Sequence, residues 1–179
     1  MQYCPRCTTE LTTALRGGLD RLICPAPDCG FVFWDNPAPV VAGIVEFDSR
    51  IVLIRNVGWP AGWYGLVTGF LEKNESPEAG IVREVKEETG LDATVTALIG
   101  LYPFERMNQL IIAYHLEAHS GDVVIDPVEI EDHRWIPVDR VQPWDSSTGL
   151  ALADWLRRHK GLDRPVTDFR SASAANVPD

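Results

Sequence analysis

Residues 69–91 read GFLEKNESPEAGIVREVKEETGL and combine a loop that begins with glycine and a strongly acidic helical pattern. Ser76 is a suitable N-cap, Pro77 fits the first helical turn, and Gly90 fits the C-terminal stop. The spacing therefore predicts a helix between these residues. Three carboxylates at i, i+3 and i+4 project from one face of that helix, and they belong to Glu84, Glu87 and Glu88.

The clustered carboxylates of this helix admit two interpretations. Like charges at this spacing repel each other in a bare helix, and a divalent cation removes that repulsion. Carboxylate oxygens, completed by water and substrate phosphates, are typical ligands of Mg²⁺ or Mn²⁺. The alternative is a solvated acidic surface with Lys86 and Arg83 as partners. The preceding loop favours the metal site, because Gly69 permits close approach to a ligand and Glu75 lies within reach of Arg83.

All four cysteines of the chain lie near its beginning, in two pairs separated by 16 residues: Cys4, Cys7, Cys24 and Cys29. Two thiolate pairs on tight turns are what a tetrahedral Zn²⁺ site requires, and four thiolates leave such a metal coordinatively closed. We therefore expect a structural zinc ribbon. Two disulfides or free thiols are the alternatives, and a reducing compartment disfavours the disulfides.

Length and composition predict one compact domain with a small appendage. The 179 residues are 45% hydrophobic and 23% charged, values that exclude a disordered, collagen-like or fibrous chain. The proline-rich segment 36–39 punctuates the chain as a linker. We predict a zinc ribbon over 1–36, a catalytic α/β body over 37–162 and a flexible tail over 163–179.

Apolar runs within the body predict strands and one further helix. The predicted strands cover 40–47, 51–55, 94–101, 108–117 and 133–137. A second, amphipathic helix is expected over 148–160, and it is expected to bury Leu150, Leu152, Trp155 and Leu156.

The charge of the chain limits its partners. It has 16 basic and 26 acidic residues, which give a formal net charge of −10. Long-range repulsion disfavours nucleic acid as a partner, and a phosphorylated small molecule would be repelled too unless cations stood between. No apolar run is long enough to cross a bilayer and no secretion signal is visible, so we expect a cytoplasmic protein without membrane contact.

The acidic stretch resembles the signature of the Nudix hydrolase family. That signature has Gly, five residues, Glu, seven residues, Arg-Glu, an aliphatic residue, one residue, Glu-Glu, one residue, Gly and an aliphatic residue. The resemblance implies an α/β/α sandwich with a mixed sheet over about residues 39–160. Every signature position is filled without a gap, by Gly69, Glu75, Arg83, Glu84, Val85, Glu87, Glu88, Gly90 and Leu91.

The resemblance also implies a chemistry, which is hydrolysis of a diphosphate that links a nucleoside to a second group. It places metal-bridging roles on the three helix glutamates, with the Gly69 carbonyl as a further ligand. Arg83 and Glu75 then act mainly in the architecture of the site. A carboxylate is expected to serve as the base, and we favour Glu87 or Glu88.

A zinc ribbon directly ahead of such a body is similar to the NADH pyrophosphatase group and to related members that act on ADP-ribose or FAD. The acidic stretch 124–130 also resembles that group, which makes Glu129 a candidate fourth metal ligand; the alternative is one more exposed acid on a loop. The stretch 100–108 departs from the NADH-directed pattern and retains only Pro103-Phe104. The zinc ribbon and the acidic stretch together imply a substrate that is a dinucleotide or nucleoside diphosphate conjugate of the NADH, ADP-ribose or FAD type. The departure over 100–108 counts against NADH within that class.

Four further side chains are candidate substrate contacts, and each has an ordinary structural alternative. Aromatic rings stack nucleobases regardless of sequence, loops rich in glycine often line ligand clefts, and arginine is suited to phosphate. The alternatives are core aromatic residues and a salt-bridge partner. The candidates are Arg55, Trp63, Tyr102 and Phe104.

Two rival functions stay open. Among enzymes, the rival is a nucleoside triphosphate or capped-RNA pyrophosphatase. From another class, the rival is a nucleotide-sensing or nucleic-acid-binding module with an inactive body, against which the intact glutamate triad and the net charge argue. The family resemblance also implies that two chains pair as a homodimer.

Overall fold

The computed structural model describes residues 1–178, which divide into two compact units. The first unit is Met1–Pro37, and the second begins at Ala38. This division lies one residue beyond the boundary that the sequence predicts. Within the described residues, no helix combines the length and apolar character needed to cross a bilayer.

The first unit is a three-stranded antiparallel sheet. Its strands are β1 (Thr12–Arg16), β2 (Leu19–Ile23) and β3 (Val32–Phe33), and they lie in that order. Gly17 and Gly18 make the two-residue turn between β1 and β2, both with positive φ, as a tight hairpin of this kind requires.

The core of the first unit is very small. Its buried members are Cys4, Leu11 and Cys24, with a few partly buried neighbours packed against them. So little apolar surface rarely stabilises a unit of this length without a disulfide or a metal.

The second unit is built on a six-stranded mixed sheet. Its strands are β4 (Ala38–Phe47), β5 (Arg50–Asn56), β6 (Val67–Phe70), β7 (Ala93–Phe104), β8 (Gln109–Ala118) and β9 (Ile130–Pro137). Their order in the sheet is β7-β8-β4-β5-β9, with β6 paired to β4. Strands β4 and β8 run parallel and the other pairs are antiparallel, which confirms the predicted mixed sheet.

Helices cover both faces of this sheet. Alternate residues of its central strand β4 are therefore buried in two separate cores, one on each side. Helix α1 (Pro77–Thr89) packs on one face through Ile81 and Val85. Helices α2 (Ser147–Trp155) and α3 (Phe169–Ala175) pack on the other face. The α/β/α sandwich is therefore confirmed.

The ends of α1 follow its sequence. The Ser76 hydroxyl accepts a hydrogen bond from the Ala79 N–H at 3.2 Å, and Pro77 is the first helical residue. Gly90 ends the helix at φ +69° and donates its N–H to the Lys86 carbonyl. Because both caps satisfy backbone groups that would otherwise lack partners, they set where the acidic face begins and ends.

The second predicted helix differs from expectation in two respects. Helix α2 ends at Trp155, and a single π-helical turn, Leu156–Lys160, follows it. Leu150, which we expected to be buried, is 44% exposed, whereas Leu152 and Trp155 are fully buried. The run from 150 to 156 is almost continuously apolar, so its pattern does not specify which face meets the sheet.

The C-terminal segment differs from the flexible tail that the sequence predicts over 163–179. Helix α3 forms within it, with the Asp168 carboxylate accepting the Ser171 N–H at 3.0 Å as a cap. Ala172 and Asn176 are completely buried. The segment is attached through single side chains rather than an apolar repeat, which is why periodicity missed it. Asp179, its last residue, lies outside the described residues.

Candidate active site and candidate thiolate site

Helix α1 directs two of its three clustered glutamates inward. Glu84 and Glu88 are 9% and 3% exposed, whereas Glu87 is exposed to solvent. The Glu84 carboxyl group lies against β6, where a Cβ added to Gly69 would fall 1.8 Å from the carboxyl carbon. Only glycine therefore lets strand and helix approach this closely.

Arg83 connects the loop before α1 to the acidic face. Its Nε and Nη2 donate to the two carboxylate oxygens of Glu75 at 2.8 and 3.0 Å, and Nη2 also donates to the Phe70 carbonyl at 3.1 Å. Its Nη1 donates to Glu84 at 2.9 Å and to Glu87 at 2.8 Å. The predicted pair of Glu75 and Arg83 is present, and it lowers the pKa of Glu75 to about 2.

Glu88 is the most unusual carboxyl group of the site. Burial, and then the nearby charges of Glu84 and Glu129, raise its pKa to about 8, although the backbone N–H of Thr68 donates to it. Its Oε2 atom is buried and has no hydrogen-bond partner. Burial also raises the pKa of Glu84, even though Arg83 acts in the opposite direction. Both acids are thus held where a second positive charge would stabilise their ionised forms.

Glu129 lies in the turn before β9 and is exposed. Its backbone N–H donates to the Asp126 carbonyl at 3.2 Å, and the Asp126 N–H donates to the Glu88 carbonyl at 3.3 Å, so this turn is bonded to α1. The Glu129 carbonyl accepts the Val57 N–H at 2.8 Å, which ties this turn to the loop after β5. The structure therefore brings the predicted fourth acid near the two buried ones.

This arrangement fits a hard divalent cation. A buried carboxylate oxygen without a partner, such as Oε2 of Glu88, is costly unless a proton or cation pairs with it. Within the described residues, no three carboxylates bring their oxygens within 4.8 Å of one another. Carboxylate oxygens are typical ligands of Mg²⁺ and Mn²⁺, both of which complete their coordination with water and phosphate.

Three of the candidate substrate contacts are used for packing or hydrogen bonding. The Tyr102 hydroxyl donates to Asp154 at 2.9 Å, and both Tyr102 and Phe104 pack against the core on the α2 side of the sheet, opposite α1. Arg55 donates to Glu131 at 2.8 Å, and its side chain is 16% exposed. The structure thus favours the alternative that the sequence left open for each of them.

Trp63, the fourth candidate, lies in an aromatic cluster that the sequence does not reveal. Its ring centroid is 5.1 Å from that of Phe169 in an edge-to-face arrangement. The Tyr64 hydroxyl donates to Asp132, and the Arg134 guanidinium lies 3.9 Å from the Tyr64 ring centroid. The glycines that flank Trp63 and Tyr64 indicated a loop of the kind that lines ligand clefts. The sequence could not indicate the partners of these two rings, because they lie more than 65 residues away along the chain.

The four cysteines of the first unit converge on one point. Their Sγ atoms lie within 4.8 Å of one another. Three separations are nearly equal: 3.6 Å for Cys4–Cys29, 3.4 Å for Cys7–Cys24 and 3.6 Å for Cys7–Cys29. Tetrahedral Zn²⁺ with bonds of about 2.3 Å separates its sulfurs by about 3.8 Å. Shared separations of this size favour one metal over two disulfides.

Together these features define a class of protein, a sandwich domain in which one capped helix presents buried carboxylates for a divalent cation. The family model described as the NUDIX domain matches residues 37–156. The chain belongs to the NUDIX family, and the recognition made from residues 69–91 is confirmed.

Curated relatives and solved structures agree with this assignment. The NAD-capped RNA hydrolase NudC of Pseudomonas aeruginosa is 29% identical over 168 residues, which are 92% of this chain and 59% of the relative. The NudC protein of Pseudomonas putida is 30% identical over 141 residues, 77% of this chain and 51% of the relative. The chain therefore spans little more than half the length of these relatives.

A solved NUDIX hydrolase from Nitrosomonas europaea has the same fold. It superposes with a TM-score of 0.73 at 24% identity, and the match covers 94% of this chain and 98% of that chain. At this identity the similarity supports the architecture alone.

Proposed function

We propose that this protein hydrolyses the diphosphate linkage of a dinucleotide or nucleoside diphosphate conjugate, of the NADH, ADP-ribose or FAD type, with Mg²⁺ or Mn²⁺. The observation that carries the proposal is the buried, unpartnered Oε2 of Glu88 beside Glu84 and the close approach at Gly69. An oxygen held in this way, within a set of carboxylates, is a ligand for a cation rather than a structural hydrogen-bond acceptor.

Glu84, Glu88 and Glu129, with the Gly69 carbonyl, would hold the cations, and Glu87 completes the predicted set at the exposed end. When bound, the cations neutralise the diphosphate oxygens and lower the pKa of a water molecule. The reaction adds one water across the P–O–P bridge and releases two phosphate monoesters. Without this charge compensation, a protein of net charge −10 would repel such a substrate.

The side chains around these ligands have separate tasks. Arg83 donates through Nη1 to one carboxylate oxygen each of Glu84 and Glu87, and through Nε to Glu75. These bonds fix the geometry of the acidic face before substrate binds. Glu87 and Glu88 remain the candidates for the proton acceptor. Glu87 is exposed and reaches water directly, whereas Glu88 is buried.

The choice of a dinucleotide rests on the relatives as well as on the site. The P. aeruginosa and P. putida relatives are named NAD-capped RNA hydrolases, and an NAD cap contains a diphosphate between two nucleosides. Their names also support a second candidate, NAD-capped RNA itself. The net charge of −10 opposes a long polyanion more strongly than a free dinucleotide. We therefore propose the small molecule first.

The four cysteines are proposed to bind Zn²⁺ in a structural role. Four thiolates fill a tetrahedral shell and leave no position for substrate. The cytoplasm remains our prediction for the compartment in which the reaction takes place. The homodimer likewise remains a prediction.

The test is a turnover profile of the purified protein on ADP-ribose, NADH, FAD, nucleoside triphosphates and an NAD-capped RNA, with Mg²⁺, with Mn²⁺ and with a chelator. We expect metal-dependent cleavage of at least one conjugate. Glu88→Gln should abolish it, whereas Glu78→Gln, on the same helix and bonded to the Tyr114 hydroxyl, should not. Turnover of triphosphates alone would overturn the substrate, and absence of turnover on all of them would favour a sensing module.

A further inference from the structure

A segment near the end of the described chain packs directly on the loop that follows β5. We call residues 165–176 the C-terminal strap and residues 57–65 the tryptophan loop. The ring centroid of Phe169 in the strap lies 5.1 Å from Trp63 and 6.1 Å from Trp59, both in the loop, and 5.6 Å from Trp144. All three contacts are edge-to-face, with interplanar angles of 74° to 88°. One phenyl ring therefore joins the loop to the core.

Polar contacts hold the strap in the same place. The Ser173 hydroxyl accepts the Tyr64 N–H at 3.5 Å. Arg134 stacks over the Tyr64 ring and donates to the Asn176 carbonyl at 3.0 Å. The fully buried Asn176 side chain accepts the Gln142 N–H at 2.7 Å and donates to the Gln142 carbonyl at 3.0 Å. The strap is thus attached through the Phe169 ring and, near its C-terminal end, through Asn176.

One end of the tryptophan loop is bonded to the turn that carries Glu129, and the other end leads into β6. At the first end, the Val57 N–H donates to the Glu129 carbonyl at 2.8 Å. At the other end, Gly65 exchanges two backbone hydrogen bonds of 2.9 Å with Ile54 just before β6, the strand on which Gly69 meets Glu84. The loop thus connects the turn that carries Glu129 to the strand that carries Gly69.

Besides the strap, the tryptophan loop is held at its two ends and through Tyr64, whose hydroxyl donates to Asp132, and it has no secondary structure of its own. It contains no helix and only one bridging residue, and Gly58 and Gly62 adopt positive φ. Segments with few buried contacts of their own open at low free energy. The edge-to-face contacts of Phe169 with Trp59 and Trp63 therefore supply apolar packing that the loop does not make within itself.

We propose that the C-terminal strap positions the active site, with Phe169 as a positioning residue that holds Glu129 and β6 in place through the tryptophan loop. The proposal rests on the proposed function, because it assigns the strap to that same site. Phe169 touches no reacting atom. Its removal changes the placement of the acids and not their chemistry.

The test compares Phe169→Ala with Leu162→Ala, a matched truncation of another partly buried residue that packs on the same core. In Phe169→Ala, amide hydrogen exchange of protein without added Mg²⁺ should accelerate about tenfold across residues 57–65 while α1 stays protected. The Mg²⁺ concentration for half-maximal rate and the KM should each rise roughly fivefold or more, with kcat nearly unchanged, because saturating Mg²⁺ and substrate restore the population with correctly placed acids. Leu162→Ala should change none of these.

Two further variants keep the test informative if Phe169→Ala folds poorly. Phe169→Leu retains most of the apolar volume but loses the ring edges, so it should show the same changes at smaller size. Phe169→Tyr keeps the ring and should restore wild-type exchange and metal dependence.

Unchanged exchange in 57–65, or equal effects of Phe169→Ala and Leu162→Ala on Mg²⁺ dependence, would overturn the strap proposal. These outcomes differ from failure of the proposed function, in which wild-type protein itself turns over none of the diphosphate substrates. Accelerated exchange accompanied by wild-type KM and Mg²⁺ dependence would also overturn it, because the strap would then be structural only.

Discussion

Gly69 and Glu84 lie so close together that a methyl group on Gly69 would clash with the Glu84 carboxyl group. A Cβ on Gly69 would fall 1.8 Å from the Glu84 carboxyl carbon and 1.9 Å from its Oε1. The position of strand β6 against helix α1 is therefore defined by the absence of a side chain.

We expect Gly69→Ala to destabilise the protein by about 1–3 kcal/mol, the usual cost of inserting a methylene into a packed site. Turnover should fall by roughly 100-fold, because displaced catalytic groups lose that much at about 1 Å. Urea unfolding and steady-state kinetics check both. The double variant Gly69→Ala with Glu84→Ala should recover stability but not turnover. Equal destabilisation in the single and double variants would contradict the clash.

The pair of Glu75 and Arg83 predicts a stability contribution that depends on pH. The folded-state pKa of Glu75 is about 2, below the ordinary 4.5, so the contribution is fully present above about pH 4.5 and is lost as pH falls toward 2. Glu75→Gln should lower the free energy of unfolding at neutral pH, and the difference from wild type should shrink in acid. Urea titrations at several pH values measure it, with the exposed Glu72→Gln as control. A difference that is constant with pH would contradict the assignment.

His115 also predicts a loss of stability as pH falls, but in a range nearer to neutral pH. Burial lowers its pKa although the Glu46 carboxylate lies 2.9 Å from Nε2 and acts to raise it. The unfolded chain therefore binds this proton more tightly, and stability declines as pH falls through the ordinary value of 6.5. His115→Gln should flatten that decline in thermal unfolding, whereas the exposed His119→Gln should leave it unchanged. An unaltered slope in His115→Gln would count against this origin.

The convergence of the four thiols predicts a single structural metal. Elemental analysis should find one Zn²⁺ per chain, and Cys24→Ser should lose it. Chelation should unfold the first unit, since its small core leaves it dependent on the metal. Trp34 emission and the circular dichroism of the first unit report this change. If unreduced, denatured protein had no titratable thiols, two disulfides would be the correct interpretation.

Much of the acidic site was predictable because its members are close in sequence. Capping residues and the i, i+3, i+4 spacing place Glu84, Glu87 and Glu88 on one helical face whatever the helix packs on. The reach from Glu75 to Arg83 spans a short turn and one helical stretch. The cysteine pairs are similar, because two knuckle-like turns with matching spacing suffice to predict a shared metal.

Predictions failed or stayed undecided where a side chain finds its partner far along the chain. Phe169 and Asn176 leave no periodic trace, so the segment after 162 was expected to be flexible. For Tyr102 and Phe104 the sequence left a stacking role and a core role open, and the structure favours the core role through packing on the α2 side and, for Tyr102, the bond to Asp154. Burial of these rings depends on which elements meet, and composition carries no record of that.

Local covalent spacing thus specified the acidic helix and the thiolate cluster, since neighbours on one helix or turn lie close together whatever the rest of the chain does, and the resemblance of that spacing to the NUDIX signature implied the reaction class. Long-range packing specified which glutamates are buried, which aromatic rings are occupied and what holds the tryptophan loop. The physical reason is that a helix face or a turn forms from contacts within a few residues, whereas desolvation of Glu88 requires β6 and α1 to close around it.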